Sequence, residues 1–265
     1  MSDRVARLKL KAGVVAERRG DRLVVQELAH VPDPLDRVKH LLKRHPALYR
    51  FAKYVLSPVY FDSAEADFIR AHVEGREGCF INLGSGNFRL HERIANVDIF
   101  AYDEVDLVCD ITRLPLEDAS VDVVMDLSLL EHVPDPAAIV DEIYRVLKPG
   151  GVVYTDAPFV VGFHASPHDY TRWTEKGLAR LFRKFEVQRL EIAGGPTSAF
   201  LWIGQEWLAM VLSLGSTALY RLLHVALMVA TFPLKYLDAV LRRHPMAGTI
   251  ALSFALIARK PLADK

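Results

Sequence analysis

The chain has 265 residues, 51% of them apolar and 25% charged, enough to bury a substantial core as one large domain or one domain with appendages. Its 33 basic residues balance 33 acidic ones, so no net field draws it towards nucleic acid and no nucleic-acid partner is expected. The two cysteines, Cys79 and Cys109, offer neither a disulfide framework nor metal-ligand spacing, and no apolar run follows Met1 to act as a secretory signal, so the expected location is cytoplasmic.

Residues 1–34 read as a hairpin-like extension, with short strands around Leu8–Val15 and Leu23–Leu28 and a turn at Arg18-Arg19-Gly20-Asp21. Pro32-Asp33-Pro34 breaks the chain, and residues 35–76 form a helical lead-in. From Leu35 to Leu56, Val38, Leu41, Leu42, Leu48, Tyr49, Ala52 and Val55 recur at roughly helical spacing, with Pro46 a candidate break. The polar face carries Arg37, Lys39, Lys43, Arg44, Arg50 and Lys53 against Asp36. It reads either as a surface for anionic headgroups or a phosphorylated substrate, or as an ordinary solvated face. Ser63 suits the N-cap of a second helix ending near Val73.

From residue 77 strands alternate with helices or crossovers, which predicts a parallel α/β sheet. Cys79–Leu83 is an apolar strand running into Gly84-Ser85-Gly86, a turn where backbone passes close to a ligand or another chain segment. Further strands are expected at Ile94–Ile99, Val105–Val108, Val121–Asp126 and Gly151–Thr155. A helix over Ala137–Leu147 follows Pro134-Asp135-Pro136 and stops at Lys148-Pro149-Gly150-Gly151. Thr174 suits the N-cap of a helix ending near Lys184, and Glu186–Ile192 and Ile250–Arg259 read as the last two strands.

Between those strands lies a hydrophobic insertion, residues 195–247. Trp207–Tyr220 has no charge, and only His224 interrupts Leu222–Leu234. Arg221 and Pro233 are expected to break the run, which argues against a spanning helix. Two or three helices capping the sheet are predicted, either as plain core, as a substrate cover, or as a peripheral membrane contact made together with residues 35–56.

Residues 79–192 resemble a class I S-adenosylmethionine-dependent methyltransferase, in its type 11 small-molecule branch. The motifs stand in that family's order: Ile81-Asn82-Leu83-Gly84-Ser85-Gly86, Asn96-Val97-Asp98-Ile99, Asp110-Ile111-Thr112-Arg113-Leu114-Pro115-Leu116, Val121-Asp122-Val123-Val124, Leu130-Glu131-His132-Val133-Pro134 and Arg145-Val146-Leu147-Lys148-Pro149-Gly150-Gly151. The resemblance implies a Rossmann-like, doubly wound, mostly parallel seven-stranded sheet with an antiparallel last strand. Residues 77–194 and 248–265 would form it, and the helical insertion would precede the last strand.

It also implies S-adenosyl-L-methionine as cofactor. Asn82, Gly84, Ser85 and Gly86 would then lie at its amino-acid end, Asp98 with Ile99 at the ribose, and Asp110 with Ile111 at the adenine. Asp126 and Leu127 would offer carbonyls to the ammonium group, and His132 either lines the pocket or is a bonded histidine at a helix entry. Two positions depart from the family pattern: Phe88 stands where a third glycine is common, and Asn82 where an acid is commoner. Gly86 and Asp98 are too close for a full helix between their strands, which disfavours a dinucleotide-binding turn.

The loop after the fifth strand, Ala157–Trp173, faces the ligand crevice of such a sheet. Its Pro167-His168-Asp169-Tyr170-Thr171-Arg172-Trp173-Thr174 run also resembles the family. His168 or His164 is a candidate base for the acceptor's proton, with Asp169 able to orient an imidazole and Tyr170 and Arg172 beside them. The competing reading is a network in which Asp169, Tyr170 and Arg172 staple the loop. No metal is expected, because no His/Asp/Glu set has ligand spacing along the chain. The expected function is methyl transfer to oxygen or nitrogen of a small or lipid/saccharide-linked acceptor. Its rivals are a non-catalytic methyltransferase-like binding protein and a dinucleotide-dependent oxidoreductase.

Overall fold

The computed structural model describes residues 2–28, 55–60, 63–165 and 167–262, so most of the basic helix expected over Leu35–Leu56 lies outside the described residues. Among the described residues nine strands form one sheet: β1 (Glu17–Arg19), β2 (Arg22–Val24), β3 (Phe80–Leu83), β4 (Ala95–Asp98), β5 (Leu107–Val108), β6 (Val121–Leu127), β7 (Leu147–Pro158), β8 (Glu186–Gly194) and β9 (Ser253–Arg259). Their spatial order is β1-β2-β5-β4-β3-β6-β7-β9-β8. Every neighbouring pair from β2 to β7 is parallel, and β9 runs antiparallel between β7 and β8. The seven strands expected from residue 79 onward are all there.

The N-terminal hairpin adds the other two strands. Its turn is Gly20-Asp21, with Arg19 opposite Arg22, and β2 pairs with β5 through Leu23–Leu107 and Val24–Val108. The expected strand at Leu8–Val15 does not form; only Leu10 bridges, to Leu116. Apolar side chains there have a better use: Val5 and Leu8 are buried, and Leu8 packs into the main core.

Two apolar layers flank the sheet, as strands buried on both faces demand. On one face Ile81, Leu83, Val124 and Val153 pack against Ile139, Val140, Ile143 and Val146 of α2 (Pro136–Val146) and Leu178 of α3 (Glu175–Leu181). On the other, Phe80, Val123, Met125 and Tyr154 meet Phe68 and Ile69 of α1 (Ala64–His72). Helix starts follow local chemistry: Asp135 accepts from Ala138 N–H at 3.1 Å, and Thr174 from Gly177 N–H at 3.1 Å.

The insertion is helical: α4 (Pro196–Ser213), α5 (Thr217–Thr231), a 3₁₀ stretch Phe232–Leu237 and a last turn Asp238–Leu241. Pro233 does not break it. The proline sits in the first turn of the 3₁₀ stretch, where its missing N–H costs nothing, and a helical path continues from Thr217 to Leu241. That 25-residue path is long and apolar enough to cross a membrane by length and composition. No residue of α5 is buried, while Trp207, Leu222 and Val240 are 60–71% exposed, so the insertion is not simply core.

What fixes the insertion is polar. Asp238, fully buried, accepts from Thr197 N–H (2.7 Å), Ser198 N–H (2.8 Å) and Ser198 Oγ (2.7 Å) at the start of α4. A carboxylate suits that place because helix N-terminal N–H groups have no intrahelical partner. Asp238→Ala would strand those donors in the interior. It is expected to cost about 2–3 kcal/mol in urea unfolding, with Asp238→Asn losing less.

Candidate active site

The parallel strands end together, and their last residues form a cavity. Gly84 and Gly86 take positive φ, 62° and 54°, which favours glycine. A Cβ on Gly84 would stand 2.5 Å from Leu129 Cδ1, so a larger residue would have to displace that side chain as well as adopt a positive φ. The Asp98 carboxylate accepts from Gly86 N–H (2.8 Å) and Phe100 N–H (3.0 Å), tying the glycine turn to the end of β4. Burial raises its pKa above the ordinary carboxylate value, against those two hydrogen bonds. Asp110 accepts through Oδ1 from Thr112 N–H (2.8 Å) and Oγ1 (2.7 Å).

The cavity measures ≈ 370 Å³ and brings together Gly84, Gly86, Asp98, Ile99, Asp110, Ile111 and His132. Two carboxylates beside aliphatic walls and bare backbone suit a ligand with hydroxyl groups, a flat ring and a chain needing close approach. Sequence reasoning missed several walls: Gln26 and Leu28 from the chain after the hairpin, Phe100 and Tyr102 after β4, and Pro167. Their signal was weak, because none belongs to a spaced polar pattern.

Other predicted cofactor residues do not line it. Asn82 is buried in β3 and donates to Asn96 Oδ1 at 3.4 Å. Ser85 Oγ donates to Gly86 O at 3.3 Å. Asp126 is fully buried and accepts from Thr155 Oγ1 at 2.6 Å, and burial pushes its carboxyl up to about 8. Leu127, half-buried, ends β6 beside it. Phe88 is 55% exposed and outside the lining, so it does not fill the cavity.

A second cavity of ≈ 180 Å³ lies alongside, lined by Tyr60, Ser128, Tyr154, Asp156, His164 and Trp202 among others. Ser128 lines both cavities and has φ 54°, a strained value for a non-glycine residue at the end of β6. Of the predicted catalytic residues, His164 reaches this wall; His168 and Tyr170 are exposed. Asp169 and Arg172 form an ion pair, 2.6 Å at Nη2–Oδ2, and Arg172 also donates to the carbonyls of Val161 and Gly162. The guanidinium holds the Asp169 carboxyl well below the usual range, and Asp169 accepts from His164 N–H at 2.8 Å. Tyr170 donates its backbone N–H to Glu131 O at 2.7 Å. These three staple the loop. Glu131, fully buried between the cavities, was not singled out from the sequence.

Sheet order and cavity position together define a Rossmann-like α/β domain with a ligand crevice at its carboxyl edge. A family model described as a methyltransferase domain matches residues 87–155. Over 54 residues the chain is 46% identical to a probable S-adenosylmethionine-dependent methyltransferase of Mycolicibacterium smegmatis, covering 20% of this chain and 21% of that protein. Over 150 residues it is 40% identical to the ubiquinone biosynthesis O-methyltransferase of Psychrobacter cryohalolentis, covering 47% and 57%. Its fold is also similar to the crystal structure of the Burkholderia thailandensis 1,6-didemethyltoxoflavin-N1-methyltransferase, with TM-score 0.47, 18% identity, and coverage of 93% and 99%. The chain thus spans between about a fifth and somewhat over half of the curated relatives it matches. Over residues 87–155 the chain thus matches a methyltransferase domain, and a segment of it is similar to an S-adenosylmethionine-dependent enzyme.

Two outcomes follow from this geometry. Asp98→Ala is expected to weaken S-adenosylmethionine binding about 100-fold in calorimetry, the size of the loss of two hydrogen bonds to a charged group; unchanged affinity would remove Asp98 from the site. Asp126 is raised in the folded state to about 8, from an ordinary value near 4. Its contribution to stability is therefore full below about pH 4 and is lost as pH rises through about 8. Asp126→Asn should flatten that fall in urea titrations run from pH 5 to pH 9.

Proposed function

We propose that the protein transfers a methyl group from S-adenosylmethionine to an oxygen or nitrogen of a small or lipid/saccharide-linked acceptor. The observation that carries this reading is the pair of cavities meeting at Ser128, one walled by Asp98 and Asp110, the other by Tyr60, Tyr154, His164 and Trp202. When bound, S-adenosylmethionine supplies an electrophilic methyl group on a sulfonium. The chain's own part is to hold the ribose at Asp98, cover the adenine with Ile99 and Ile111, bring backbone close at Gly84 and Gly86, and align the acceptor beyond Ser128. The 40% identity to an O-methyltransferase favours oxygen as the atom methylated.

An apolar, membrane-borne acceptor is favoured by the insertion. Trp202 of α4 lines the acceptor cavity, while Phe200, Ile203, Trp207 and Met210 of the same helix are 44–69% exposed. One helix thus joins the acceptor's cavity to a broad apolar surface. Such surfaces on soluble proteins mark interaction sites, and we assign this one to the cytoplasmic face of a membrane, through residues 200–241.

The first test is calorimetry with S-adenosylmethionine and S-adenosylhomocysteine, with NAD as control. Micromolar binding of the first two and none of NAD is expected; tighter NAD binding would return the reading to an oxidoreductase. Cofactor binding with no transfer to any lipid, quinol or saccharide acceptor would leave a non-catalytic binding protein. Separately, the protein should float with liposomes, and Trp207→Glu with Val240→Glu should abolish flotation while leaving cofactor affinity unchanged. Failure of the parent protein to float would reduce the insertion to a substrate cover.

A further inference from the structure

Glu131 is fully buried, and neither of its carboxylate oxygens has a hydrogen-bond partner among the described residues. An unpaired buried carboxylate is costly enough that a positive partner is called for. The ring nitrogens facing Oε1 are His132 Nε2 at 3.7 Å and His164 Nε2 at 3.6 Å. Both distances are too long for a hydrogen bond. They are close to the ~3.4 Å that separates two ligand atoms each about 2.1 Å from one tetrahedral ion.

The other face of each imidazole strengthens the case. His132 Nδ1 lies 2.6 Å from His168 O, and His164 Nδ1 lies 3.0 Å from Gly162 O. A carbonyl only accepts, so each Nδ1 carries a proton, and in the neutral ring the Nε2 lone pair faces Glu131. Donation of the remote ring N–H to a backbone carbonyl is how metal-binding histidines are oriented. Two ring nitrogens and a carboxylate thus converge, all within 4.8 Å of one another.

We propose that Glu131, His132 and His164 bind one divalent first-row transition ion of the zinc, manganese or iron(II) class. Two imidazoles and one carboxylate suit such ions and leave coordination positions open. His132 lines the cofactor cavity and His164 the acceptor cavity, so the open positions fall where the two meet. Resting on the methyltransferase reading, the ion's role is to bind an acceptor hydroxyl oxygen and lower its pKa, the proton leaving to solvent and the oxygen staying held beside the cofactor. The site was invisible along the chain because His164 comes from a loop far from Glu131-His132. Only the fold joins them.

The full-length protein, stripped with chelator, would be titrated calorimetrically with Zn²⁺, Mn²⁺ and Co²⁺, with the Co²⁺ absorption spectrum recorded alongside. One equivalent is expected, weakened at least tenfold in both Glu131→Gln and His164→Ala and unchanged in His168→Ala, whose side chain lies outside the cluster. S-adenosylmethionine affinity measured on metal-free protein tests the cofactor reading independently, so the two can fail separately. Circular dichroism would check folding; if Glu131→Gln unfolds, His164→Ala on its half-exposed loop decides. The absence of a stoichiometric ion in the parent protein would overturn the site. So would affinity unchanged in His164→Ala, and the cluster would then be held by protons.

Discussion

The constraint on which the site depends is the bond from Gly86 N–H to the Asp98 carboxylate, 2.8 Å long. Among the described residues the connection between β3 and β4 has no helix to stiffen it, so side chains must do so. Asp98 secures the ligand side of the turn. Beneath it Asn96 donates to the carbonyls of Phe88 and Glu104, and Arg89 pairs with Glu104 and Asp106. These interactions are largely buried and satisfied, which lets a glycine turn hold one shape without a helix behind it.

A second constraint acts at the end of β6. Ser128 takes a left-handed backbone conformation there, and its N–H donates to Asp156 O at 2.9 Å, holding the strained residue at the boundary of both cavities. The chain then turns through Leu130–His132, placing Glu131 inward and His132 on the cofactor side. The loop after β7 closes over this from the other side, stapled by Asp169 and Arg172, so His164 arrives opposite Glu131.

The insertion follows a different logic. Its interior end is polar and specific, with Asp238 on the start of α4 and Lys235 Nζ donating to Ser57 O at 3.1 Å. Its outer surface is apolar and unsorted, as α5 without a buried residue demonstrates. Anchoring one end by hydrogen bonds leaves the other exposed, which is the ground on which the membrane contact is proposed.

What the sequence determined on its own was the order of strands and helices, because β-branched runs, caps and glycine turns are local signals read at short range. It also marked Gly84, Gly86, Asp98 and Asp110, whose positions at strand ends follow from that order. Register and convergence were decided by tertiary structure. The hairpin at Glu17–Val24 became a sheet edge through pairing with β5, a contact between segments 84 residues apart that no local pattern encodes. The side chains of Asn82 and Asp126 are buried because the sheet is covered on both faces, a matter of packing that no local pattern encodes. Glu131 met His164 because a loop staple, not spacing along the chain, set their distance.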